Sequence, residues 1–70
     1  MEYRAYTVNY DGHLNPPRVL ECADDGEAIA QVKVSLNGQP IELWQGTRLV
    51  GWCQRIDDTP VVFSPEQKQS

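Results

Sequence analysis

The stretch that decides the fold is Ile41-Glu42-Leu43-Trp44-Gln45-Gly46-Thr47-Arg48-Leu49-Val50-Gly51-Trp52. Its two apolar-rich halves are typical of short strands, and the Gln45-Gly46 dipeptide between them is typical of a turn. We therefore expect an antiparallel hairpin here. Because this hairpin also holds both tryptophans of the 70-residue chain, it is the first place to look for a contact surface.

The register of this hairpin depends on its turn. If Gly46 takes the left-handed position of a bulged type I turn, Glu42 lies opposite Arg48. Val50 and Trp52 then point away from the face that carries the inward leucines. A two-residue turn at Gln45-Gly46 would break this pairing of opposite charges, so we expect the bulged turn.

Upstream, two segments around a loop predict another hairpin. Residues 3–10 are rich in aromatic and β-favouring side chains and predict a strand, and residues 18–23 predict its return. The loop between them contains Asp11-Gly12, which favours a tight turn, and two prolines that cannot donate ladder hydrogen bonds.

Between the hairpins, Asp24 followed by Glu27 is typical of a capping box and predicts a helix that starts near Asp25. Apolar residues at 28, 29, 32 and 36 have helical spacing, so we expect a helix over 25–36 that ends at Asn37-Gly38. The alternative is a strand over 32–36 that enters an Asn-Gly hairpin. We favour the single helix, which leaves Val34 on its solvent-exposed face.

The C-terminal part predicts little regular structure. We expect a turn over residues 57–60, a short apolar run at Val61-Val62-Phe63 and a frayed tail over 64–70. The prediction is thus a single α+β domain over residues 1–63. Its order is ββαββ, with an antiparallel sheet and one helix packed on one face.

Composition bounds the classes of function. A domain of 70 residues has a thin stability margin, and no apolar run reaches the length that crosses a membrane. The net charge of −4 and the scattered basic residues argue against nucleic-acid binding. No secretory signal is visible, so we expect a cytoplasmic protein with Cys22 and Cys53 as free thiols.

Three segments resemble a family of very short, uncharacterised bacterial proteins. They are Tyr3-Arg4-Ala5-Tyr6 through Asp11-Gly12-His13, then Glu21 through Ile29, and Ile41-Glu42-Leu43-Trp44-Gln45-Gly46 through Val50. That family has an opening aromatic strand ending in Asp-Gly-His, an acidic-capped helix and a Glu-Leu-Trp-x-Gly hairpin. The resemblance implies one fold and a bacterial, cytoplasmic setting, and it brings no active-site residues.

No segment indicates a reaction. His13 is the only histidine, and no ligand or nucleophile adjoins it at a useful spacing. The carboxylates at 24, 25 and 27 are explained by helix capping, and those at 57 and 58 by a turn. We therefore expect no catalytic residue, no cofactor and no metal site.

The tryptophan hairpin is the remaining candidate. One helix covers one sheet face, and an aromatic patch on the other face is typical of a contact surface. We expect Val50 and Trp52, with Trp44 at the rim, to contact a second copy or an unknown protein partner. The alternatives are a small-ligand or regulatory sensor, and tryptophans covered by the sheet edge or the tail.

Overall fold

The computed structural model describes residues 1–36 and 38–65. The elements are β1 (Glu2–Thr7), β2 (Arg18–Glu21), α1 (Asp25–Ser35), β3 (Ile41–Gln45), β4 (Arg48–Ile56) and β5 (Thr59–Phe63). The strands form one antiparallel sheet in the order β2-β1-β3-β4-β5, and α1 packs on one face. The predicted α+β fold is confirmed, with a fifth strand that the sequence did not predict.

The start of α1 follows the predicted cap. The Asp24 carboxylate accepts a hydrogen bond from the Glu27 backbone N–H at 2.9 Å, which satisfies one of the free donors of the first turn. In return the Glu27 carboxylate accepts from the Ala23 N–H at 2.6 Å, one residue before the donor that a capping box uses. The acidic cap thus predicts the helix start correctly.

The helix ends at Ser35, so the single-helix prediction is confirmed and the strand over 32–36 is wrong. Leu36 is extended and buried, and its N–H contacts the Lys33 carbonyl at 3.4 Å. Gly38 has a positive φ of 109°, but it lies two residues beyond this cap. Asn37, the other half of the predicted stop signal, lies outside the described residues.

The core lies between α1 and the sheet face that α1 covers. It consists of Tyr3, Ala5, Leu20, Cys22, Ala28, Val32, Leu36, Ile41, Leu43, Val50 and Cys53. The helix contributes few large side chains, since its buried residues within the span are Ala28 and Val32. Val34 is 88% exposed on the outer side of α1, as the helical spacing predicts. Within the described residues, no helix has the length and apolar character needed to cross a bilayer.

The tryptophan hairpin forms as predicted, but with a different register. Gln45 pairs with Arg48, so Gly46 and Thr47 make a two-residue turn and Glu42 lies opposite Trp52. Gly46 has a φ of 60° at the first central position, as a type II′ turn requires. The predicted Glu42–Arg48 pair is therefore wrong.

The fifth strand follows another two-residue turn. Asp57 and Asp58 have φ values of 53° and 66°, and a type I′ turn needs two such residues in succession. Ile56 then pairs with Thr59, and the ladder continues to Trp52 and Phe63. Of the predicted tail, Ser64 packs beside Gly51, and residues 66–70 lie outside the described residues.

Candidate functional site

The candidate site is the sheet face opposite α1, called the open face below. Directly paired residues share a face of an antiparallel sheet, and residues two apart along a strand do so as well. Because Tyr3, Ala5 and Leu43 are buried toward α1, the alternate positions belong to the other side. The open face is formed by Glu2, Arg4, Tyr6, Val19, Glu21, Glu42, Trp44, Leu49, Trp52, Gln54, Ile56, Thr59, Val61 and Phe63.

Aromatic side chains cross the open face from β1 to β5. Tyr6, Trp44, Trp52 and Phe63 are each half-buried. The ladder pairs Tyr6 with Glu42, Glu42 with Trp52, and Trp52 with Phe63, which makes a continuous row over four strands. The Trp52 and Phe63 rings stack with centroids 5.5 Å apart and an interplanar angle of 17°. This stack anchors the last strand to the hairpin.

Glu42 lies among three of these aromatic residues. Tyr6 and Trp52 flank it on the neighbouring strands, and Trp44 follows two residues later on the same strand. The Trp44 indole Nε1 donates to Glu42 Oε1 at 3.0 Å. In the described part of the chain, no basic side chain forms an ion pair with Glu42. A half-buried carboxylate between aromatic rings is suited to accept a cationic group.

Val50 does not belong to the open face. Leu43 pairs with Gly51 while Trp44 pairs with Leu49, so Val50 is an extra residue that bulges out of the ladder. Its side chain joins the core and is 7% exposed. The expectation that Val50 lies beside Trp52 on a contact surface is therefore wrong, because the bulge reverses the alternation between them.

Trp44 and Trp52, the other two predicted contact residues, share the open face as expected. Phe63, Leu49 and Glu42 also belong to this face, and none of them was predicted there from the sequence. Phe63 was missed together with its strand, although paired aspartates before an apolar run can signal a type I′ hairpin.

A second cluster of polar groups joins the helix start to the tryptophan hairpin. The buried Tyr3 hydroxyl donates to Asp25 at 2.7 Å, and the Arg48 guanidinium donates to both oxygens of the same carboxylate at 3.0 and 3.2 Å. Hydrogen bonds from Arg48 and Tyr3 lower the pKa of Asp25. The bond to Asp25, with burial, raises the pKa of Tyr3 to about 12. The cluster stabilises the packing of α1 on the sheet.

His13 lies in the exposed loop after β1. Its Nδ1 is 2.9 Å from Asp11 Oδ2, and its backbone N–H donates to Asp11 Oδ1 at 3.0 Å. These bonds, the backbone bond first, lower the pKa of Asp11 and form a local turn. Within residues 1–36 and 38–65 the structure brings no three histidine, cysteine or carboxylate side chains together at metal-binding distance. The absence of a metal site and of catalysis stays a prediction.

The two cysteines are buried free thiols. Cys22 follows β2 at one edge of the sheet, while Cys53 lies in β4, three strands away. Three strand spacings amount to about 14 Å, beyond the roughly 7 Å that a disulfide can bridge. Burial raises the pKa of both thiols, so they act as small apolar side chains of the core.

Two clefts adjoin the sheet. One of about 370 Å³ lies on the open face and is lined by Tyr6, Leu14, Trp44, Gly46 and Thr47. A polar cleft of about 280 Å³ lies on the helix side, where Arg18 donates to the Ser35 hydroxyl at 3.1 Å. The first cleft is continuous with the aromatic row through Tyr6 and Trp44.

Comparison of the chain with protein-family models, curated proteins and solved structures found no match. The resemblance to very short bacterial proteins therefore stays a prediction.

Proposed function

We propose that this protein is a small binding module, without catalytic activity, that self-associates through its open face. The observation that supports the proposal is the row of half-buried aromatic side chains on the face opposite α1. Aromatic residues are favoured anchors of protein interfaces, especially where several adjoin. A small domain with a thin core also gains stability when association removes such a surface from water.

The size of the open face supports the proposal of a weak dimer over a tight one. Five strands spaced by about 4.8 Å span about 24 Å, and strands of five residues are about 17 Å long. The projected area is thus on the order of 400 Å², about half of what each partner contributes to a standard stable interface. We therefore expect a dissociation constant in the micromolar range.

The edges of the sheet are less suited to association than the face. β2 has only four residues and begins and ends with the charged side chains of Arg18 and Glu21. β5 contains Pro60, which cannot donate a ladder hydrogen bond. Short, charged or proline-containing edges oppose strand pairing between copies. Face-to-face packing is the remaining route for the sheet.

The proposal includes a bacterial cytoplasmic setting. Support comes from two buried thiols that lie too far apart to pair, a feature compatible with a reducing compartment. The resemblance to short bacterial proteins points the same way.

The test is the mass in solution as a function of concentration, by sedimentation equilibrium. We expect the wild type to shift from monomer to dimer over the micromolar range. Trp52→Ser removes the central anchor, and Val19→Lys adds a charge at an open-face position that is 56% exposed. Both should shift the protein toward monomer. Val34→Lys, on the outer side of α1, is the control that should change nothing.

A wild type that stays monomeric at high micromolar concentration, with Trp52 shielded from collisional quenchers, would contradict self-association. Circular dichroism of each variant separates loss of association from loss of folding. The result to look for is native-like spectra with a changed mass.

A small-ligand or regulatory sensor is the second candidate. The observation that favours it is the open-face cleft of about 370 Å³ between Tyr6, Leu14 and Trp44. Ligand pockets of proteins have volumes of about 300–1,000 Å³ and are mostly apolar. A ligand there should quench or shift the fluorescence of Trp44, and Leu14→Asp should abolish that response without altering the mass of the protein.

A further inference from the structure

We propose that a two-fold pairing of open faces places Arg4 of each copy against Glu42 of the other, with Tyr6 and Trp44 along the axis. This inference rests on the proposed function, because it specifies how two copies associate. It is drawn from the arrangement of four neighbouring side chains.

These four residues form the corners of a rectangle on β1 and β3. Arg4 pairs with Trp44, and Tyr6 pairs with Glu42. The sides measure about 4.8 Å between strands and about 6.6 Å between alternate residues of one strand. Arg4 and Glu42 are diagonal corners, and the two aromatic residues are the other diagonal.

Because the rectangle is not square, rotation by 180° about the aromatic diagonal brings each charged corner to within about 2.5 Å of the other's position. A second copy related by this axis therefore brings its Arg4 over Glu42 and its Glu42 over Arg4, while each aromatic residue packs near its own counterpart. Such an interface is isologous, as two-fold dimers require. The strands of the two sheets would cross at about 70°, close to the orthogonal class of sheet packing.

The charges of the open face fit this partner. Glu42 has no ion pair among the described residues, and its carboxylate accepts one hydrogen bond, from Trp44. Arg4 is the one basic residue in the described open face. Its ion pair with Glu2, at 3.3 Å, joins two half-exposed side chains. Exposed pairs of that kind contribute little, so Arg4 can change partner at small cost.

The surroundings of Glu42 also favour a guanidinium. Tyr6, Trp44 and Trp52 lie on three sides of the carboxylate. A guanidinium there can donate to the carboxylate and lie against aromatic rings, both of which arginine does better than lysine. Association would also exclude water from the pair, which strengthens the attraction.

The experiment is a charge exchange followed by sedimentation equilibrium. Arg4→Glu places like charges opposite each other in both halves of the homodimer, and Glu42→Arg does the same. Each variant alone should raise the dissociation constant of the dimer at least tenfold. An equimolar mixture of the two should restore it to within about threefold of wild type, because every contact in the mixed dimer is again between opposite charges.

Lys33→Glu is the matched control. It changes the net charge as Arg4→Glu does, but Lys33 is exposed on α1, on the other side of the sheet. It should leave the dissociation constant unchanged. Circular dichroism and urea midpoints confirm that every variant folds.

The outcomes separate the two proposals. If the wild type dimerises and the single variants have no effect, the Arg4–Glu42 pairing is overturned while self-association stands. If the variants weaken the dimer but their mixture does not restore it, the pairing is likewise overturned. A monomeric wild type overturns both.

Discussion

Gly51→Ala should destabilise the protein, although replacing a strand glycine by alanine ordinarily does the opposite. Gly51 is buried in β4 beside the end of β5. A Cβ atom there would lie 2.6 Å from the Phe63 carbonyl oxygen, closer than real contacts of this kind. Because this oxygen belongs to the backbone, it cannot rotate away as the end of a flexible side chain would.

Two opposing contributions set the size of the effect. Alanine restricts the unfolded chain more than glycine does, which stabilises the folded protein by about 0.4–1 kcal/mol. Inserting a methyl group into a packed site costs about 1–3 kcal/mol. If β5 moves away to relieve the clash, the stack of Phe63 on Trp52 is lost, which costs about 0.5–1.5 kcal/mol. We expect a net loss of about 1–2 kcal/mol in the free energy of unfolding.

The assay is urea unfolding at fixed protein concentration, followed by tryptophan fluorescence. With a urea dependence of about 1 kcal/mol per molar for a small domain, the midpoint should fall by about 1–2 M. Gly26→Ala is the control: it lies in the first turn of α1, and the nearest atom to its new Cβ is 3.6 Å away. It should raise the midpoint. A raised midpoint for Gly51→Ala as well would refute the reasoning.

Two further predictions concern the core and the helix start. Leu43 is 1% exposed, so Leu43→Ala should lower the free energy of unfolding by about 2–4 kcal/mol. Val34→Ala, at an exposed position, should leave the urea midpoint nearly unchanged. Equal midpoints for the two variants would contradict the burial of Leu43. Hydrogen bonds from Arg48 and Tyr3 lower the folded pKa of Asp25, so this carboxylate contributes stability above its ordinary pKa. That contribution is lost as the pH falls through the ordinary pKa toward the lower folded value. Asp25→Asn should flatten the acid decline in the urea midpoint, and an unchanged slope would count against this assignment.

Much of the fold follows from local signals in the sequence. The cap at Asp24 and the spacing of apolar residues predict α1 to within one residue. Alternation and turn residues predict the two hairpins. These features depend on neighbours in the chain, so a single sequence is enough to find them.

The parts that were missed depend on pairing at a distance or on unusual backbone. The order β2-β1-β3-β4-β5 places β1 beside β3, a contact that no local pattern specifies. β5 was missed because Asp57 and Asp58 both adopt positive φ, which residues other than glycine seldom do. The predicted partner of Arg48, Glu42, is wrong because Arg48 binds Asp25, the first residue of α1, which is distant in the sequence.

The single extra residue at Val50 has a consequence for how this chain tolerates deletions. Because Val50 is unpaired, a chain without it would keep Leu49 opposite Trp44 and Trp52 opposite Glu42 in a regular ladder. β5, which pairs with the second half of β4, would keep its register as well. If Val50 stayed and the bulge were lost, Trp52 would instead come opposite Ile41, inside the core, and Cys53 would turn outward. β4 should therefore tolerate the deletion of one residue at the bulge better than the insertion of one elsewhere in the strand.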